Sequence, residues 1–170
     1  MKRKIAIVDA SSAIILCRAG LHLLLAGTYD IILPASVFRE ITARPYAGSA
    51  EYKDLAGAGK VRIEENNVLL TEPGMAVLDK GECDAIHLLN SGRGDFVITD
   101  DGPAARYCSK EGIPFINSLL FPVILQMAHI KNNDFCQRAT EKIKRNGRYS
   151  NEIVDRARKC RGDSIMFAMP

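Results

Sequence analysis

Six acidic residues lie where short apolar segments end or where the neighbouring helices would begin. They are Asp9, Glu40, Glu82, Asp84, Asp100 and Asp101. Carboxylates held close together repel one another, so such a group is costly unless a metal ion neutralises it or protons are shared. Carboxylate oxygens without thiolate or imidazole ligands are the donors that Mg²⁺ and Mn²⁺ prefer. These residue types therefore predict a divalent-cation site, provided that the fold brings the side chains together.

Five of these acids also have an ordinary structural explanation, whereas Asp84 is harder to explain in that way. Asp9 can cap the helix that follows it, and Asp100 or Asp101 can form the turn into another helix. Glu82 would lie in the first turn of a helix, where the helix dipole favours a negative charge. Glu40 can be an ordinary exposed glutamate. Each of these explanations accounts for one position, whereas a metal site accounts for all six.

The strands that must position these acids are short and apolar. We predict them at Ile5–Val8, Tyr29–Leu33, Val61–Glu64, Asp95–Thr99 and Pro114–Asn117. Unbroken β-branched segments are typical of strands that are buried on both faces of a parallel sheet. Ligands of open parallel sheets bind beyond the carboxyl ends of the strands. The acids at positions 9, 100 and 101 would therefore lie at the binding edge.

Helical segments alternate with these strands. We predict them from Ser11 or Ser12 through Cys17, and at Leu21–Ala26, Pro34–Ile41, Pro73–Asp79, Gly81–Leu89, Pro103–Gly112, Leu119–Ile130, Asn132–Arg145 and Ser150–Cys160. The Gly- and Ala-rich segment Tyr46–Gly59 is compatible with either a loop or a weak helix. Alternating strands and helices predict an α/β sandwich on a central parallel sheet, with extra C-terminal helices. We expect a domain over residues 1–130 and a basic helical extension over 131–170 that packs on it.

The composition excludes several classes of protein. The 170 residues are 47% hydrophobic and 25% charged, which argues against a disordered, collagen-like or disulfide-dense chain. The five cysteines form no C-x-x-C pair, as expected in a reducing cytosol. The most apolar later segment, Leu119–Ile130, is interrupted by Pro122 and is too short to span a bilayer. We therefore expect a cytoplasmic protein with no membrane partner.

Positive charge is concentrated near the C-terminal end. Residues 131–161 carry ten Lys or Arg against four Asp or Glu, a net charge of +6, while the whole chain has +3. An acidic body with a basic segment is expected when a polyanion is gripped in one place and processed in another. A solvated helical face is the alternative explanation. Arg106, one turn into the helix after Asp101, is the best local candidate for contacting nucleic-acid phosphates.

Four short motifs occur in a fixed order over the first 120 residues. They are Ile7-Val8-Asp9-Ala10-Ser11, Val37-Phe38-Arg39-Glu40-Ile41, Gly81-Glu82-Cys83-Asp84-Ala85-Ile86, and Ile98-Thr99-Asp100-Asp101 followed by Ala105-Arg106. Together they resemble the PIN-domain family, whose members are small metal-dependent ribonucleases common as toxins of prokaryotic toxin–antitoxin pairs. The third and fourth motifs look most like a prokaryotic PIN-like subgroup.

The resemblance implies a three-layer α/β/α sandwich and a set of site residues. It makes Asp9, Glu40, Asp84 and Asp101 the catalytic acids, with Asp9, Asp84, Asp100 and Asp101 as metal ligands and Ser11 and Glu82 in supporting roles. Asp101 is favoured as the fourth acid because it stands two residues after a threonine, and Asp100 is the rival. The implied cofactor is Mg²⁺ or Mn²⁺.

The implied activity is endonucleolytic hydrolysis of RNA. A metal-activated water would attack in line and leave 5′-phosphate and 3′-hydroxyl ends. The implied partners are single-stranded or structured RNA, an antitoxin protein and a second copy of the chain.

Two other functions are compatible with the sequence. A PIN-like fold can bind nucleic acid or protein without cutting, because a fold does not fix a function. A phosphatase or phosphotransfer domain would use Asp9 as a nucleophile. That class usually has a second acid two residues later, where this chain has Ser11.

Overall fold

The computed structural model describes residues 3–45, 47–67, 73–160 and 162–170. Its centre is a five-stranded sheet with the strand order β3-β2-β1-β4-β5, in which every neighbouring pair is parallel. The strands are β1 (Ile5–Val8), β2 (Asp30–Pro34), β3 (Val61–Glu64), β4 (Phe96–Ile98) and β5 (Phe115–Ile116). The predicted parallel sheet is therefore confirmed, and β1 lies at its middle.

Helices connect and cover the strands. They are α1 (Ala10–Arg18), α2 (His22–Thr28), α3 (Ala35–Thr42), α4 (Ser49–Gly57), α5 (Lys80–Asn90), α6 (Gly102–Glu111), α7 (Leu120–Met127), α8 (Asn133–Asn146) and α9 (Asn151–Lys159). Two 3₁₀ turns, Pro73–Met75 and Gly162–Ala168, complete the described structure.

Alternate residues of the strands face opposite layers of helices. Ala6 and Val8 of β1 belong to a large apolar core that includes residues of α1, α7 and α8. The residue between them, Ile7, packs instead with Ala85 and Leu88 of α5. This alternation is the period of two expected of a strand. It places helices on both faces of the sheet and confirms the three-layer α/β/α sandwich.

The C-terminal helices share the core of the strands. Ile143 of α8 and Val154 of α9 are buried in the same apolar cluster as Val8. Further along, the hydroxyl of the buried Tyr29 donates to the backbone carbonyl of Ala168, at 2.6 Å. Residues after 130 therefore stabilise the sheet layer directly. The division of the chain at residue 130 stays a prediction.

Two segments refine the sequence-based expectations. The segment Tyr46–Gly59 contains helix α4, which begins after Gly48 with its φ of 105°; Tyr46 itself lies outside the described residues. The helix predicted at Pro73–Asp79 is wrong, since only a 3₁₀ turn forms there. Asp79 is instead the N-cap of α5, and its side chain accepts from the Glu82 amide, so this segment is used to start the next helix.

Within the described ranges, no single helix has the length and apolarity needed to cross a membrane. The consecutive helices α1 and α2 meet those criteria only when they are taken together, and they are bent by 115° at their junction. Both contribute buried side chains to the core of the fold.

Candidate active site

The carboxyl ends of the two central strands bring Asp9 and the Asp100–Asp101 pair to one edge of the sheet. Val8 at the end of β1 pairs with Ile98 at the end of β4. The Asp9 amide extends this pairing by donating to the Ile98 carbonyl, at 3.1 Å. Asp9 and the Asp100–Asp101 pair therefore follow the ends of β1 and β4 at the same edge of the sheet, as the parallel pairing requires.

Asp9 is a buried carboxylate that caps α1. Its Oδ1 accepts from the Ser12 amide at 2.7 Å and from the Ser11 hydroxyl at 3.0 Å, and its Oδ2 accepts from the Thr99 hydroxyl at 2.5 Å. Burial raises the pKa of Asp9 to about 6, to which the Asp100 charge contributes. Asp9 can therefore cap α1 and still offer carboxylate oxygens to a metal ion. Ser11, predicted as a supporting residue, contacts Asp9 through its hydroxyl.

Asp100 is held by donors from three parts of the chain. Its Oδ2 accepts from the hydroxyls of Ser12, at 2.8 Å, and of Ser118. Its Oδ1 accepts from the Ser118 amide at 3.1 Å and from the Tyr149 hydroxyl at 2.6 Å. Ser12 thus links Asp100 to Asp9 through its hydroxyl and its amide. These bonds fix the orientation of the Asp100 carboxylate.

Asp101 has a different environment. Its Oδ1 accepts from the Ala104 amide at 2.9 Å and so caps α6, and its own amide donates to the Thr99 hydroxyl at 3.3 Å. Arg106 is exposed on the same helix. One nitrogen of its guanidinium group lies 3.3 Å from the position that a Cβ atom at Gly102 would take. The Arg106 charge therefore lies along the first turn of α6, beside Asp101.

Glu82 is brought to the same edge from α5. It forms a reciprocal capping box with Asp79, in which the Asp79 amide donates to the Glu82 carboxylate at 3.0 Å. Burial raises the pKa of Glu82 to about 7. The charges of Asp79, Asp101 and Asp9 contribute to this rise in pKa. Glu82 is therefore electrostatically part of the group formed by the strand-end acids.

Glu40 approaches this group from the exposed side of α3. Partial burial and the charge of Asp79 raise the pKa of Glu40. A Cβ on Gly81 would lie 2.9 Å from a methyl carbon of Val37 and 3.7 Å from the Glu40 carboxylate. Glycine at this position therefore allows α5 to pack closely against α3, which sets Glu40 beside the first turn of α5.

Asp84 is buried and has its own set of partners. Its carboxylate accepts from the Ser36 hydroxyl at 2.5 Å and from the Asn66 amide at 2.9 Å, and pairs with the Lys80 ammonium at 3.5 Å. The structure therefore brings Asp9, Glu82 and Asp101 together electrostatically, while Asp84 is held by a neighbouring polar network.

Several residues that complete the site were not predicted from the sequence. They are Ser12, Asp79, Thr99, Ser118 and Tyr149. Asp79 had a local signal, since an Asp followed three residues later by Glu is a capping-box pattern. Tyr149 had none, because it lies 49 residues from the Asp100 that it contacts.

The donor chemistry of this edge fits a divalent cation. Asp9, Glu82 and Asp101 present carboxylate oxygens. Burial is the main cause of the raised pKa of Asp9 and of Glu82, and the charges of Asp101 and Asp9 add to the rise in the pKa of Glu82. In the parts of the chain that the structure describes, no three His, Cys, Asp or Glu side chains are gathered into a ready set of ligands. The described arrangement therefore supplies suitable donors without a preassembled three-ligand site.

We expect Gly147→Ala to break the contact between Tyr149 and Asp100. A Cβ at Gly147 would lie 2.9 Å from the Tyr149 hydroxyl oxygen and closer still to its ring, so the ring must move. Losing one hydrogen bond to a charged carboxylate should lower the free energy of unfolding by about 1.5–3 kcal/mol. Urea denaturation of Gly147→Ala, Tyr149→Phe and the double variant measures this loss.

The double variant should lose little more than either single variant, because both remove the same contact. Gly57→Ala is the control, since a Cβ there would have nothing within 4 Å. Fully additive losses would contradict the assignment of both effects to the Tyr149 hydrogen bond.

Comparison with known proteins identifies a family for the chain. A family model described as a PIN domain matches residues 5–160, which includes every strand and helices α1 to α9. No curated protein and no solved structure matches the chain. Because the family match covers most of the sequence, the chain belongs to the PIN-domain family.

Proposed function

We propose that this protein is a metal-dependent endoribonuclease that hydrolyses RNA phosphodiester bonds. The observation that carries the proposal is that the parallel pairing of β1 and β4 brings Asp9 and the Asp100–Asp101 pair to one edge of the sheet. The charges of Asp9 and Asp101 also raise the pKa of Glu82 on α5, after burial as the main cause. PIN domains are generally nucleases that use divalent metal ions. The family and the position of the acids therefore support the same chemistry.

Mg²⁺ or Mn²⁺, when bound, would activate water and offset charge on the phosphate and on the leaving oxygen. Asp9, Asp101 and Glu82 are the residues that we propose to hold it. Thr99 orients Asp9 by a hydrogen bond to its Oδ2. Arg106 would bind a substrate phosphate from the first turn of α6, which is sequence-independent and sensitive to salt.

Asp100 acts in this proposal by positioning other groups. Its bonds to Ser12, Ser118 and Tyr149 hold together the segments that follow β1, β5 and α8. Glu40 and Asp84 remain predicted acids of the same site. Neither is required to hold the first cation in this proposal.

The wider biological role is also part of the proposal. We propose a cytoplasmic ribonuclease that forms a homodimer and acts as the toxin of a toxin–antitoxin pair, since PIN-like ribonucleases are common in such pairs. Arrest of growth on expression, with rescue by a protein encoded beside it, tests the toxin role. Light scattering of the purified protein tests the dimer, and a monomer at all concentrations would contradict it.

The catalytic proposal predicts that labelled single-stranded RNA is cut in Mg²⁺ or Mn²⁺ and remains intact in EDTA. In-line attack by water should leave 5′-phosphate and 3′-hydroxyl ends, which ligation and end-labelling identify. Products ending in 2′,3′-cyclic phosphate would contradict water as the nucleophile. RNA binding without cutting in either metal, across structured and unstructured RNAs, would instead favour a non-catalytic binding module.

A further inference from the structure

A cleft of about 390 Å³ lies between α6 and α9, next to the candidate active site. Its lining includes Gly102, which directly follows Asp101, and Asn117, which directly precedes Ser118. Ser118 donates to Asp100, so one end of the cleft adjoins the acidic edge of the sheet. Its volume is within the range of about 300–1,000 Å³ typical of small-ligand sites.

The floor of the cleft is apolar. Phe115, Leu120 and Ile153 line it from β5, α7 and α9 respectively. Ile153 is 41% exposed, which is unusual for a large aliphatic side chain that lies in a concave surface. A flat, uncharged group such as a nucleobase would cover these side chains and remove apolar surface from water.

The rim of the cleft is positively charged. Arg106 of α6 and Arg156 of α9 both line it. The Arg156 side chain is 80% exposed and its ion pair with Glu152 is equally exposed, so the guanidinium is readily available to an anion. Two guanidinium groups on different helices fit a phosphodiester backbone that crosses the cleft.

One buried polar atom of a residue that lines the cleft also requires an explanation. The side-chain oxygen of Asn117 is buried without a hydrogen-bond partner in the described structure, although the residue lines the cleft. A buried acceptor without a partner is costly. Every nucleobase carries an N–H group that can donate to such an oxygen. Together, the apolar floor and the amide oxygen match the face and the edge of a nucleobase, and the two arginines match its phosphate.

We propose that this cleft binds one nucleotide of a single-stranded RNA, next to the phosphate that is cleaved. This inference rests on the proposed function and names a subsite for its substrate. It requires an unpaired base, because a base stacked in a duplex does not present its face to a protein cleft. The cleft also gives α9 a direct part in substrate recognition.

The test is equilibrium binding of a labelled single-stranded RNA in EDTA, measured over a range of salt concentrations. Arg156→Ala should weaken binding about tenfold and reduce the salt slope by about one. Arg158→Ala is the matched control, because it removes the same charge from α9 but its side chain pairs with Glu141 and does not line the cleft. Arg158→Ala should therefore reduce RNA affinity much less than Arg156→Ala does.

Ile153→Ser separates base contacts from charge. It should weaken binding about three- to fivefold without changing the salt slope, and an abasic nucleotide scanned along the RNA should reproduce this loss at one position. Thermal melting of each variant establishes that it is folded. Equal losses for Arg156→Ala and Arg158→Ala, or no abasic effect at any position, would overturn the subsite.

Cleavage assays distinguish this failure from failure of the nuclease proposal. If the wild type cuts RNA in a metal-dependent way and Arg156→Ala binds RNA as tightly as the wild type, the subsite is overturned and the nuclease proposal stands. Selective RNA binding in the cleft without cutting in any metal would overturn the nuclease and leave the subsite. A wild-type protein that binds no single-stranded RNA would overturn the subsite.

Discussion

Asp9→Asn is expected to abolish RNA cleavage while making the metal-free protein more stable at neutral pH. Loss of a metal-holding carboxylate should reduce the cleavage rate at least about a thousandfold. Asparagine keeps the cap of α1, because its side-chain oxygen accepts from the Ser12 amide as Asp9 does. The new amide group takes the place of Oδ2 beside the Thr99 hydroxyl, which can rotate to accept from it, so the main change is the loss of the buried negative charge.

The sign of the stability effect follows from the pKa. Burial raises the pKa of Asp9 from 3.8 to about 6, so the folded state binds the proton more tightly than the unfolded state. The resulting stability is present below pH 4 and is lost as the pH rises through 6. At pH 7.5 the ionised Asp9 should therefore cost on the order of 3 kcal/mol, which Asp9→Asn restores.

Urea denaturation between pH 4 and 8 in EDTA measures this effect. The free energy of unfolding of the wild type should fall between pH 4 and 6, and that of Asp9→Asn should fall much less. The exposed Asp54 of α4 provides the control, since Asp54→Asn should change neither activity nor the pH dependence. A destabilised Asp9→Asn protein at pH 7.5 would show that the buried charge is well solvated by its hydrogen bonds, and would refute this interpretation.

Substitution of Asp100 should destabilise the protein more than substitution of Asp101. Asp100→Ala leaves the buried Ser118 amide and the Tyr149 hydroxyl without their acceptor, which should lower the free energy of unfolding by about 3 kcal/mol. Asp101→Ala removes one helix cap and should cost about 1 kcal/mol. Both stabilities are measured by urea denaturation at a pH where the wild type is folded.

Asp101→Asn separates stability from activity. Asparagine is an equally good N-cap, so it should recover the stability that Asp101→Ala loses, and cleavage should remain abolished if Asp101 holds the cation. Recovery of cleavage in Asp101→Asn would make the residue a cap alone. It would then favour Asp100 as the fourth acid.

The strand-end acids were predictable from sequence because a parallel sheet places the carboxyl ends of its strands at one edge. Asp9 and Asp101 each follow a buried apolar strand, and their capping roles were also visible as local patterns. Asp84 was less predictable. Its partners Ser36 and Asn66 come from segments 48 and 18 residues away, and the direction of its side chain depends on how α5 packs against α3.

The contribution of the C-terminal segment was not predictable in detail. The positive charge of residues 131–161 indicated contact with a polyanion, and α9 does place Arg156 on the cleft beside the acids. Tyr149 lies in the short connection between α8 and α9. No periodicity in the sequence indicates that its side chain contacts Asp100. Such a contact depends on the packing of α8 and α9 on the sheet layer, which a local pattern does not encode.

The position of Tyr149 along the chain also affects when the site becomes complete during synthesis. All five strands of the described sheet lie within residues 5–116, and the N-terminal part of a chain leaves the ribosome first. The strands can therefore leave the ribosome before Tyr149 and the α9 wall of the cleft have been made. At that stage Asp100 lacks its tyrosine donor, and Arg156 is absent. In the proposed nuclease, the polar network around Asp100 and the proposed nucleotide subsite would therefore be complete only after Arg156 has been made.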